Sequence, residues 1–142
     1  MKRIWIFLIG VFWMIALGSG AVGAQGDFDS GAYELSYTVS GKGSAQMELA
    51  DGYFLLRLDH TEDGVTYTAA DGVHTHPAGG GQYTIRVVSG FAQIYYNGQY
   101  SFSYDMPRTN ERQDAPIAVE NGIIISDITL SPIQGREVIY QK

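Results

Sequence analysis

Apolar and polar residues alternate along most of this chain with a period of two, and no segment shows the sustained three-to-four spacing of an amphipathic helix. From Ala32 to Val39, Tyr33, Leu35, Tyr37 and Val39 fall on one side and Glu34, Ser36 and Thr38 on the other, the pattern of a half-buried strand. Ser40 to Gly43 reads as a turn. Ser44 to Leu49 and Tyr53 to Asp59 predict two further strands joined at Asp51-Gly52, and Val65 to Ala69 another after Asp63-Gly64. Asp-Gly recurs at Asp71-Gly72, but the flanking residues of the three copies do not match, so this is turn chemistry and not a repeat.

The most regular stretch is Gln82 to Pro107, QYTIRVVSGFAQIYYNGQYSFSYDMP, which predicts three consecutive antiparallel strands. Ser89-Gly90 marks the first turn, and Asn97-Gly98 is a strong hairpin signal because a type I′ turn needs positive φ at both central positions. Alternation puts Tyr95 and Tyr96 on opposite faces and predicts a shared, inner face for Tyr100, Phe102 and Tyr104. Thr75 to Gly81 (THPAGGG) reads as a loose connection; no Lys-Ser/Thr or helix follows its glycines, so it is not a phosphate cradle. Arg108 to Ala115 reads as a charged loop. Pro116 to Glu120 and Gly122 to Leu130 supply two closing strands, with a parity change at Ser126-Asp127 that predicts a β-bulge. About nine short strands point to a sandwich or barrel.

The amino terminus changes the accounting. Lys2 and Arg3 precede an apolar run from Ile4 to about Leu17, and small residues ending in Val22-Gly23-Ala24 follow, the order of a secretory signal peptide. Residues 1–24 are therefore expected to be a leader and residues 25–142 one β-sandwich domain, secreted or periplasmic. An uncleaved amino-terminal anchor is the alternative. After cleavage no membrane span is expected. The chain carries a net charge of −6; without Lys2 and Arg3, seven basic residues face fifteen acidic ones, a balance of −8. Such a domain repels nucleic acid, whose binding depends on clustered Lys and Arg. Cysteine is absent, so core packing has to hold the exported domain. No Asn-x-Ser/Thr acceptor occurs, which favours a bacterial context.

The order YTIRVV, a tight turn, FAQIYYNG, an outgoing strand, a loop, then PIAVENG and IIISDITLSPI is similar to the second half of concanavalin A-like lectin/glucanase domains of the laminin G-like, jelly-roll kind. AYELSYTV resembles the early strand that pairs with the last one. The resemblance implies two stacked antiparallel sheets and a carbohydrate-binding or cell-surface recognition role, with a glycan or a cell-surface protein as partner. Members of this group usually run longer than residues 25–142.

Glucanases of this fold carry paired carboxylates on one strand, and no strand here does: Glu34 and Asp127 stand alone among Tyr, Ser, Ile and Thr. No Gly-x-Ser-x-Gly elbow is present. A small glycan-processing hydrolase and a structural or assembly protein of the envelope remain the rival classes. His74 and His76 lie two apart, so an extended backbone turns both rings to one side, with His60 a conceivable third ligand. Asp59, Glu62 and Asp63 precede Gly64 and resemble part of a calcium loop that lacks its closing Glu. Neither set completes a shell, so no cofactor is expected; calcium is the ion the acidic turn would suit. Sugar binding needs aromatic faces and polar side chains that fix hydroxyls. Those coincide at the hairpin where Tyr96 is the expected stacking platform, with Tyr95 beside Gln93 as the alternative, and Gln93, Asn97 and Arg86 near them.

Overall fold

The computed structural model describes residues 21–23, 32–113 and 116–133. Regular structure there is all antiparallel β, with no helix among the described residues. The strands are β1 (Ala21–Gly23), β2 (Tyr33–Thr61), β3 (Val65–Ala69), β4 (Gly72–His76), β5 (Gly81–Val88), β6 (Phe91–Tyr96), β7 (Gln99–Asp105), β8 (Arg108–Gln113) and β9 (Ile117–Pro132). Pairing runs β1-β9-β2-β5-β6-β7, with β3 on β2, β4 on β3 and β8 on β2. Of the expected leader, only residues 21–23 are described, as β1 antiparallel to β9; the rest of it and the entry segment 25–31 lie outside the described residues.

Two long strands let one curled sheet supply two layers. Tyr33 to Gly41 of β2 pairs with Ile123 to Pro132 of β9, and Ser44 to Glu48 pairs with Ile117 to Gly122. Between the two stretches stand Gly41, Gly43 and Gly122, with φ of 87°, 119° and 93°. Ser40 to Gly43 is therefore a bend inside one ladder, not the turn the sequence suggested; the glycines let both strands change direction without losing pairing. The Glu120 carboxylate, buried beside the bend, accepts a hydrogen bond from the Ile125 amide at 2.8 Å. The first part of β2 continues through β5, β6 and β7. Its last part continues through β3 and β4.

The period-two alternation delivers the core. Leu35, Tyr37 and Val39, with Tyr83, Ile85 and Val87, meet Leu56, Leu58, Val65 and Tyr67 in one buried cluster. His60, a conceivable metal ligand by sequence, belongs to this core at 1% exposure. Its Nε2 hydrogen-bonds the Tyr37 hydroxyl at 2.8 Å, and its ring meets Tyr83 edge-on at 4.7 Å. Tyr37 and Tyr83 stack at 5.6 Å. Burial pushes the His60 pKa down to about 4.

The turns carry the dihedrals their residues demand: φ is 49° and 80° at Ser89-Gly90, and 50° and 83° at Asn97-Gly98. The bulge at Ser126-Asp127 is present, with Asp127 at φ 54° and a register shift between Ser36 and Thr38. Three readings are corrected. Gly72–His76, assigned to a turn and loose connection, is a strand because β3 offers it a full set of partners from Val65 to Ala69. Arg108–Gln113, read as a charged loop, is a strand that borrows its partners from Gly52 and Phe54. Tyr100 does not share a face with Phe102 and Tyr104: Ile94 pairs with Phe102 but Tyr95 pairs with Tyr100, so a bulge at Ser101 turns Tyr100 to the opposite side.

Two outcomes follow. The folded-state pKa of His60 lies below its unfolded value, so its contribution is complete above about pH 6.5 and is lost as pH falls toward 4. Urea unfolding is expected to show His60→Phe losing about 3 kcal/mol less than the parent over that interval; equal losses would refute the assignment. In the second, Gly98→Ala meets open space but keeps positive φ, whereas a Cβ at Gly122 also runs into the Lys42 carbonyl. Gly98→Ala is expected to cost about 1 kcal/mol and Gly122→Ala about 3 or more by thermal melting.

Candidate functional site

β7 ends the pairing path of one layer and β4 that of the other, so each is an edge strand. Their side chains meet. The His76 ring lies on Phe102 with centroids 4.0 Å apart and planes 7° apart, and its Nε2 hydrogen-bonds the Tyr104 hydroxyl at 2.7 Å. His74 stacks on Tyr104 at 4.4 Å and bonds Asp71 through Nε2 at 2.7 Å. Tyr67, fully buried, closes the group from below against Phe102 at 4.6 Å. Backbone joins the layers here as well, since the Ala70 amide donates to the Asp105 carbonyl at 2.8 Å.

Along this junction runs a cleft of about 570 Å³, lined by Ala70, Asp71, Phe91 and the run Tyr100 to Asp105. That volume lies in the range of small-molecule sites. Its walls alternate aromatic rings with hydroxyls and carboxylates. Tyr104 is held above the usual phenol range, by burial first and then by the Asp71 charge, so it stays protonated. Asp71 is held below the usual carboxylate range, chiefly by its hydrogen bond to His74, so it stays ionised. The lining thus offers rings, hydroxyls and anionic acceptors, and no Lys or Arg.

The residues proposed from sequence divide between two faces. Arg86 pairs across strands with Gln93, and Thr84 with Tyr95, so Arg86, Gln93 and Tyr95 share the outer face. Tyr100 joins them, its ring edge-on to Tyr95 at 5.8 Å. Arg86 Nε lies 3.7 Å from Glu34, and Gln93 is buried with its Nε2 unpartnered. Tyr96 is on the other side, packed on Tyr83 at 5.2 Å with its hydroxyl donating to the Gly80 carbonyl at 2.8 Å. Asn97 is a turn residue whose Oδ1 accepts from the Gln82 amide at 2.9 Å. Sequence reasoning did not single out Asp71, Ser101, Phe102 and Tyr104 as cleft residues, because the meeting of β4 with β7 is a contact between distant elements that no local pattern announces.

The histidine reading is half met. His74 and His76 do face one side, but His60 is in the core, and no group of three ligating side chains that could hold a metal occurs among the described residues. Asp63 sits in a loop whose Thr61 hydroxyl accepts from the Asp63 and Gly64 amides at 3.3 and 3.2 Å, a geometry that satisfies the turn internally. Asp59 lies on β2 opposite Thr66. The outer face of β2, β3 and β4 is a second polar surface. On it Arg57 pairs with Glu48 at 2.9 Å and Thr66 with Thr75 at 3.1 Å, so its polar groups serve one another.

No protein-family model and no curated protein matches the sequence. Solved structures do match in shape. The galectin LEC-6 of Caenorhabditis elegans superposes with a TM-score of 0.56 at 19% identity, over 82% of this chain and 92% of that one. Sheep galectin-11, solved as a complex with glycerol, gives 0.54 at 9% identity over 82% and 99%. A human galectin-16 variant gives 0.54 at 9% over 82% and 97%. The likeness is one of fold, a galectin-like β-sandwich, and it agrees with the antiparallel β-sandwich expected from the sequence.

The two adjacent tyrosines should separate in experiment. Tyr96→Ala removes a ring packed against the core and is expected to cost about 2–4 kcal/mol, whereas Tyr95→Ala on the outer face should cost under about 1 kcal/mol. Chemical denaturation of the two variants measures the difference, and the reverse order would overturn the placement.

Proposed function

We propose that this protein is a non-catalytic carbohydrate-binding domain, exported to the periplasm or cell exterior, that takes a neutral glycan in the cleft between the β3–β4 turn and β7. The observation that carries the reading is the composition of that cleft. Phe102 and Tyr104 present ring surface for the C–H face of a pyranose, while Ser101 and ionised Asp71 accept and exchange hydrogen bonds with its hydroxyls. Galectin-like architecture supports the reading at the level of fold. The charged start, apolar run and small-residue exit of residues 1–24 support export.

Charge selects the class of glycan. A cleft with carboxylates and no Lys or Arg in its lining, in a chain of net charge −6, repels sulfated, uronate and sialylated sugars. Asp71 also argues for binding over hydrolysis. A general acid for glycoside cleavage needs a raised pKa, and the His74 hydrogen bond drives Asp71 the other way. Tyr95 lies beside the cleft through its contact with Tyr100, so a longer glycan would extend over the outer face of β6.

Titration of neutral oligosaccharides into isotope-labelled protein, followed by NMR, tests this directly. Shifts are expected at Ser101 to Tyr104, and Tyr104→Ala should weaken binding by about ten-fold or more, the cost of losing an aromatic contact. Arg57→Ala, on the separate polar face, should leave affinity unchanged. Loss of binding in Arg57→Ala with retention in Tyr104→Ala would move the site to the β2–β3–β4 face, and sulfated or uronate glycans binding better than neutral ones would overturn the selectivity.

A further inference from the structure

We infer that His74 and His76 are positioning residues for the cleft, and that His76 sets the hydrogen-bonding role of Tyr104 and weakens glycan binding when it takes up a proton. The inference rests on the cleft being the glycan site. A His-x-His pair on a strand turns both rings to one side, and here that side is β7. Both rings spend their contacts on residues of the cleft lining: His76 on Phe102 and the Tyr104 hydroxyl, His74 on the Tyr104 ring and Asp71. Two imidazoles thus hold one wall of the cleft.

Proton counting gives the consequence. Neutral His76 with its hydrogen on Nδ1 accepts a hydrogen bond from the Tyr104 hydroxyl at Nε2, which leaves the phenol oxygen free to accept from a sugar hydroxyl. Protonated His76 carries N–H on both nitrogens. Nε2 must then donate into the phenol oxygen, and the phenol proton swings away from the ring. Tyr104 loses an acceptor site, and a positive charge appears beside the cleft.

The titratable groups facing the pair are Tyr67 from β3, Asp71 from the turn before β4 and Tyr104 from β7. Burial, and then the His74 charge, hold His76 below the ordinary imidazole range, which favours its neutral form at pH 7.

The test uses the full chain with labelled histidine and tyrosine side chains, observed by NMR from pH 8 to 5 with circular dichroism to verify folding. Without sugar, the His76 and Tyr104 ring signals should move together with one midpoint; a Tyr104 ring that stays flat while His76 titrates overturns the inference. Lactose, cellobiose and N,N′-diacetylchitobiose are then titrated at pH 7.5 and 5. A fall in affinity of about five-fold or more, absent in His76→Gln, which takes up no proton, supports the inference. Equal affinity at both pH values, or the same pH profile in His76→Gln, overturns the gating and leaves the glycan site standing. Failure of all three disaccharides to bind at either pH overturns both.

Discussion

The ladder between β2 and β9 has to pass from one layer of the sandwich to the other without breaking, and every other element is positioned by how it does so. Gly41 and Gly43 on one strand face Gly122 on the other, and a Cβ at any of the three would press on backbone across the ladder. The bend keeps backbone groups paired through a place where a loop would leave them to water. It also sets the two continuations of β2 against each other, so that residues 33–41 and 56–60 of one strand line opposite walls of one core.

That core is held by packing and by a few buried polar contacts. With no cysteine in the chain, the layers are joined by apolar contact and by the Tyr37–His60 hydrogen bond. A second clip lies at the other end of the core, where the buried Asp51 carboxylate accepts from the Gly90 amide at 2.6 Å. Burial raises the Asp51 pKa, and the Gly90 hydrogen bond opposes that rise. The same turn demands glycine twice over: Gly90 has φ of 80°, and a Cβ there would fall 2.8 Å from the Phe54 ring. Turn chemistry and layer contact thus reinforce each other, the consistency between local and global preference that marks a foldable sequence.

The cleft arises because both layers end close together. β4 and β7 each pair on one side, and their other sides approach through His74, His76, Phe102 and Tyr104. The bulge at Ser101 has a direct part in this, since it puts Tyr100 on the outer face with Tyr95 while leaving Phe102 and Tyr104 against the histidines. The rings that line the cleft, Phe91, Tyr100, Phe102 and Tyr104, all lie on β6 and β7, and strands hold their side chains more tightly than loops do. The outer face of β2, β3 and β4 is polar by contrast, and its ion pair and threonine contact already satisfy many of the groups a ligand would use.

By itself the sequence determined the class and much of the local detail: period-two alternation marks the inward residues from Tyr33 to Val39 and from Tyr83 to Val87, and Ser89-Gly90, Asn97-Gly98 and Ser126-Asp127 announce their own backbone conformations. These are legible because they depend on a residue and its near neighbours. It also placed Tyr95 and Tyr96 on opposite faces, but parity could not say which face was inner. Tertiary structure decided what depends on partners far along the chain. Gly72–His76 and Arg108–Gln113 have little strand signal of their own and are strands because β3 and β2 present them with unpaired edges. Ser40 to Gly43 is a bend and not a turn because β9 stays paired across it. His60 is a core residue because Tyr37, 23 positions earlier, supplies a buried hydrogen bond, and the cleft exists because Tyr104 lies 28 residues beyond His76 in the chain yet within hydrogen-bonding reach.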